Sequence, residues 1–121
     1  PLFVPFVEEG WTSGKVVEEV ARAYLKPLKD NRVDTLILGC THYPVLKNVI
    51  RQVMGPKVVL IDSAKQVAVE VKKILASECM MGKPRRGRHR FFVSDNPRWF
   101  TDLASRFLGR RISDAQRVAA P

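Results

Sequence analysis

Hydrophobic and polar positions along this chain follow two rhythms, and each switch between them marks a predicted element. Residues 2–7 form a short apolar run that predicts a strand, closed by Glu8, Glu9 and Gly10, with Pro5 arguing against a central, fully paired position. From residue 15 to about 28, Val16, Val17, Val20, Ala21, Tyr24, Leu25 and Leu28 recur at helical spacing. Thr12 or Ser13 is available as N-cap, and Pro27 should end or distort the last turn. Residues 34–39 then give a continuous apolar run, the pattern of a parallel strand covered on both faces.

After Pro44 the helical period returns in Val45, Leu46, Val49, Ile50 and Val53, and Gly55-Pro56 stops it. Val58 to Ile61 reads as the next strand. Ser63 and Gln66 have capping-box spacing ahead of a helix with Val67, Val71, Ile74 and Leu75 on one face, running to about Cys79. Phe91-Phe92-Val93 predicts a third core strand. Asp95 or Asn96 then caps a helix with Pro97 at its start and Phe100, Leu103, Ala104 and Phe107 facing inward. Residues 112–118 fit an edge strand. Strand and helix alternate from end to end, so the predicted class is α/β, a parallel sheet with helices on both faces.

The chain of 121 residues has room for about one ordinary domain. With 45% hydrophobic and 27% charged residues, wholesale disorder is excluded. No apolar stretch approaches the roughly 18 residues of a bilayer span and no charged-then-apolar leader opens the chain, so a soluble, cytoplasmic protein with no membrane partner is expected. Cys40 and Cys79 are too few for the disulfide framework of a small secreted domain. The chain begins at Pro1 in a segment already patterned as an element, which leads us to expect a fragment lacking its N-terminal part.

The net charge of +9 is partly local: Lys83, Arg85, Arg86, Arg88 and Arg90 stand in a run without an acid. That run supports one alternative function, a non-catalytic basic α/β module contacting nucleic acid or a protein partner through residues 83–90. Against nucleic acid stands the lack of a recognised motif or of stacking aromatics within the run. His89 lies inside it and is expected to be solvated.

Chemistry concentrates elsewhere. In open α/β sheets the ligand crevice lies beyond the carboxyl ends of the strands, and Gly39-Cys40-Thr41-His42-Tyr43-Pro44 is predicted to sit there, between a strand and a helix. A thiol beside an imidazole and ahead of a helix is favoured as thiolate, a soft base or nucleophile. Thr41 adds a hydroxyl and a backbone N–H suited to a substrate carboxylate. A cysteine at a strand end is commonly an inert core residue, but Cys, Thr, His and Tyr gathered in one turn raise the catalytic reading to an even footing with that one. Cys79 has no acid–base neighbour in sequence and reads as a packing or surface thiol. Cys40, His42, Cys79 and His89 lack the spacing of a zinc site, so no metal is expected. Trp99 and Phe100 fit a buried helix face better than a ligand box, and Tyr43 is expected to pack beside Pro44.

The six-residue cysteine motif, directly after the apolar run Thr35 to Leu38, resembles the second catalytic-cysteine motif of bacterial glutamate racemases. Pro1 to Glu8 resembles that family's strand leading to an acidic residue, at the family's spacing before the cysteine, and Ile61-Asp62-Ser63-Ala64 and Phe91 to Asp95 resemble its later segments in order. The resemblance implies a cofactor-independent interconversion of L- and D-glutamate by two thiols, supplying D-glutamate for peptidoglycan, cell wall biogenesis and cell shape. It makes Cys40 one of the two acid/base thiols, His42 its assistant, Glu8 the carboxylate assisting that histidine, and Thr41 with His42 the substrate-binding pair. It implies two pseudo-symmetric domains, with residues 1–61 ending one and residues 62–121 returning to the other. It also implies a homodimer for the full-length enzyme and raises a contact with DNA gyrase. The first cysteine segment, of Ala-Cys-Asn-Thr type, does not occur in these residues, so the isolated fragment is expected to be inactive.

Overall fold

The computed structural model describes residues 1–83, 87 and 89–119. They fall into two compact units, residues 1–81 and residues 82–121. In the first, α1 (Phe3–Glu8) and α2 (Lys15–Asp30) precede β1 (Thr35–Leu38), a 3-10 turn at Tyr43–Leu46, α3 (Lys47–Met54), β2 (Val59–Asp62) and α4 (Ser63–Ser77). The second contains β3 (Phe92–Val93), α5 (Pro97–Leu108) and β4 (Gln116–Arg117).

Both strand pairs are parallel, as the alternating pattern predicts. Thr35 pairs with Val59 and Leu38 with Asp62 in the first pair, and Phe92 pairs with Gln116 in the second. A parallel pair needs a crossover between its strands, and α3 and α5 supply them. Leu38 and Leu60 point into a core with Val17, Ala21 and Leu25 of α2 and Val49, Ile50 and Val53 of α3. Side chains alternate across a strand, so Ile37 and Val59 take the other face, where they are 65% and 53% exposed. Residues 34–39 are therefore covered on one face among the described residues, not on both as their apolar run predicts.

The first segment corrects the sequence reading. Residues 3–8 are helical, not extended: Phe6 N donates to Leu2 O at 3.0 Å and Glu9 N to Pro5 O at 2.9 Å. Pro5 sits in the first turn, where its missing N–H costs no intrahelical bond. Phe3 and Val7, four apart, are both buried, and this i,i+4 pair is what the segment folds around.

Smaller differences concern the caps and the fates of faces. Gly14, not Thr12 or Ser13, precedes α2, and Pro27 is accommodated inside it. Asp62, not Ser63, caps α4, its carboxylate accepting from Lys65 N at 3.1 Å. Asn96 caps α5, accepting from Arg98 N and Trp99 N, and Gly109 closes it in the left-handed conformation at φ 60°. Neither α4 nor α5 carries a buried residue. Val67, Val71 and Ile74 of α4, and Trp99 and Phe107 of α5, remain exposed rather than packed inward. Of the basic run, Arg85, Arg86 and Arg88 lie outside the described residues. Arg90 lies over the Phe92 ring, 5.3 Å from its centroid, and His89 is exposed.

Candidate active site

The register that pairs Leu38 with Asp62 brings two segments to one end of the parallel pair, Gly39-Cys40-Thr41 after β1 and the junction Asp62-Ser63 between β2 and α4. This is the carboxyl end, where α/β sheets bind ligands. Beyond Cys40 the chain enters a 3-10 turn rather than a regular helix. Tyr43 N donates to Cys40 O at 3.2 Å and Val45 N to His42 O at 3.1 Å, and α3 begins only at Lys47. The two tight turns fold His42 back over the cysteine.

Cys40 is half-buried and is not in a disulfide. His42 Nδ1 lies 4.0 Å from Cys40 Sγ and 3.1 Å from Thr41 Oγ1. On the other side of the ring, His42 Nε2 lies 3.5 Å from Glu8 Oε1. A carboxylate beside Nε2 favours the tautomer with hydrogen on Nε2, leaving Nδ1 as an acceptor facing thiol and hydroxyl. Thiol, imidazole and carboxylate thus stand in series, each within reach of the next.

Glu8 reaches this position because residues 3–8 are helical. Burial of Phe3 and Val7 fixes the rotation of α1. Phe3 also meets Tyr24 of α2 at 5.4 Å and the Tyr43 ring edge-on at 5.7 Å, tying α1 to the same turn that holds His42. Tyr43 is therefore a packing residue, and with Phe3, Tyr24, Leu25, Leu38 and Ile50 it lines an apolar groove of about 360 Å³.

The structure brings Cys40, Thr41, His42 and Glu8 together. Cys79 stands apart, exposed, two residues beyond α4. Sequence reasoning missed Ser63, whose hydroxyl donates to Leu38 O at 2.9 Å and so joins the start of α4 to the end of β1. Its signal was present but assigned to a cap that Asp62 provides. Among the described residues no three His, Cys, Asp or Glu side chains form a metal site, and no helix is long and apolar enough to cross a membrane.

A half-buried thiol next to an imidazole and a carboxylate, at the carboxyl end of a parallel strand pair, is the arrangement of a candidate acid–base site in an α/β fold. Comparison with known proteins gives it a relative. The chain is 47% identical over 120 residues to the glutamate racemase of Geobacter metallireducens, covering 98% of this chain and 44% of that protein. It is 45% identical over 124 residues to that of Mycolicibacterium paratuberculosis, covering 98% and 45%. Among solved structures it superposes on glutamate racemase from Thermus thermophilus, in complex with beta-chloro-D-alanine, with a TM-score of 0.85 and 45% identity, covering 98% of this chain and 45% of that one. For the Francisella tularensis enzyme, in complex with D-glutamate, the TM-score is 0.84 at 33% identity, covering 99% and 44%. No protein-family model matches. The chain is thus similar over nearly its whole length to part of several glutamate racemases, and it spans about 44% of the length of the curated relatives it matches.

Proposed function

We propose that these residues form one half of the catalytic centre of a glutamate racemase, with Cys40 as one of two acid/base thiols. The observation that carries this reading is the series Cys40 Sγ, His42 and Glu8, with spacings of 4.0 and 3.5 Å. Removing the α-proton of glutamate without a cofactor's electron sink requires a base on one face of the carbon and an acid on the other. Cys40 S–H gives its proton to His42 Nδ1, and the Glu8 carboxylate beside Nε2 stabilises the imidazolium that results. The thiolate then takes the α-proton of L-glutamate, and a second thiol delivers a proton to the opposite face of the carbanion. In the reverse direction Cys40 returns a proton to that carbon. Thr41, exposed at the tip of the turn, contacts the substrate together with His42. The second thiol belongs to the portion of the relatives that these 121 residues do not span.

On this reading the enzyme is cytoplasmic, needs no cofactor, acts as a homodimer and supplies D-glutamate for peptidoglycan. Residues 1–61 close one pseudo-symmetric domain and residues 62–121 return to the other, with a contact to DNA gyrase as a further partner proposal. The test is polarimetric: the full-length protein should bring either enantiomer of glutamate to an equal mixture, and in D2O the product should carry solvent deuterium at its α-carbon. Failure to racemise either enantiomer would refute the assignment.

A further inference from the structure

We infer that Ser63 is a positioning residue for Cys40, acting through the carbonyl of Leu38; the inference rests on the reading of Cys40 as an acid/base thiol. Leu38 and Asp62 form the last paired rung of β1 and β2. One residue later the second strand has already turned into α4, whose first N–H groups have no intrahelical acceptor. The Ser63 hydroxyl donates to Leu38 O at 2.9 Å in a partly buried bond, tying the start of α4 to the end of β1 through a side chain. Two residues beyond Leu38 lies Cys40, with only Gly39 between.

Gly39 gives this link little stiffness of its own. A substituent at Gly39 would meet nothing within 4 Å, so its neighbours do not hold it either. The sulfur is held from one side by the end of β1 and from the other by the bond from Tyr43 N to Cys40 O. Ser63 fastens the first anchor, and Asp62 keeps Ser63 in place by capping the same helix through Lys65 N. Loss of the hydroxyl removes this side-chain tie from the Leu38 carbonyl, loosens the end of β1 and lets Cys40 drift from His42 Nδ1. At 4.0 Å that pair is already at the outer limit of a sulfur hydrogen bond. A displacement of about 1 Å at a reacting group is enough to cost a large rate factor.

The experiment compares Ser63→Ala, Ser63→Thr and Cys40→Ala in the full-length protein. It measures racemisation of glutamate and, independently, alkylation of Cys40 by iodoacetamide across pH, followed at the Cys40 peptide by mass spectrometry. Ser63→Ala should lower kcat about tenfold with KM changed less than about twofold, and should move the pH profile of Cys40 alkylation. Ser63→Thr, which keeps the hydroxyl, should restore both. An alkylation profile superimposable on that of the parent, or equal losses in the Ala and Thr variants, would overturn the inference. Retained racemisation in Cys40→Ala would refute the functional reading instead, and the alkylation of Cys40 in the two Ser63 variants would still decide the role of Ser63.

Discussion

Glu8 and His42 are separated by more than thirty positions in sequence, yet Glu8 Oε1 stands 3.5 Å from His42 Nε2. The side chain of His42 is only 20% exposed while that of Glu8 is 38% exposed, so the carboxylate closes the outer side of a largely covered ring. This arrangement orients the imidazole toward Cys40. We expect Glu8→Gln to preserve the fold and lower kcat of the full-length enzyme by about 3- to 30-fold, since partial solvation screens the carboxylate's field. Steady-state kinetics in both directions would check this. Unchanged kcat would remove Glu8 from the mechanism.

The two cysteines should differ sharply. Cys40 is half-buried, 4.0 Å from an imidazole, and lies in the turn after β1. Cys79 is exposed beyond the far end of α4, whose 15 residues span about 22 Å from the Ser63 end that bonds Leu38. No substrate carbon can be within reach of both sulfurs. We expect Cys40→Ala to abolish racemisation, by at least about 10³-fold, and Cys79→Ala to leave most of it. Equal losses would contradict the assignment of Cys40.

The proposed chemistry uses thiols alone and no carbonyl cofactor. Racemisation by the full-length enzyme should therefore persist in aminooxyacetate or hydroxylamine, which trap pyridoxal-type aldehydes, and should be lost on alkylation of Cys40. Inhibition by the carbonyl reagents at intact Cys40 would refute the cofactor-free reading.

At the start of α5 the sequence offers two adjacent capping residues, and the structure selects one. Asn96 Oδ1 accepts from Arg98 N at 2.9 Å and from Trp99 N at 3.4 Å. Asn96→Ala should destabilise the protein by about 1 kcal/mol, while Asp95→Ala should stay within about 0.5 kcal/mol of the parent. Thermal unfolding of both variants would separate them, and the reverse ranking would show that Asp95 is the cap in solution.

Much of this site is legible in the sequence because its members are local. Cys40, Thr41 and His42 lie in one turn, and the change from an apolar run to helical spacing places that turn at the end of a strand. The helices α2, α4 and α5 are likewise legible, being long enough for several turns of period. What fails is short or non-local. Six apolar residues around Pro5 fit a strand as well as a helix, and only the joint burial of Phe3 and Val7 decides for helix. The bond from Ser63 to Leu38 spans 25 positions and leaves no periodic trace. In α4 and α5 the amphipathic spacing shows which face is apolar, not whether anything in these residues covers it.

That uncovered surface bears on what the 121 residues can do alone. Ile37 and Val59 are more than half exposed on one face of the first strand pair, and Val67, Val71 and Ile74 are exposed along α4. Exposed apolar side chains clustered on a strand face forgo burial worth about 25 cal/mol per Å² and favour association with other apolar surfaces. The purified chain should therefore bind a hydrophobic dye such as ANS more strongly than the full-length protein and unfold at a lower temperature. It should also fail to racemise glutamate. The chain contains only two thiols, and Cys79 is out of reach of any carbon held by Cys40, so the second face of the substrate has no proton donor of the required kind. Polarimetry on the purified chain with L-glutamate checks this directly. Measurable turnover would mean that one thiol suffices or that water replaces the second, and the two-thiol mechanism would have to be abandoned.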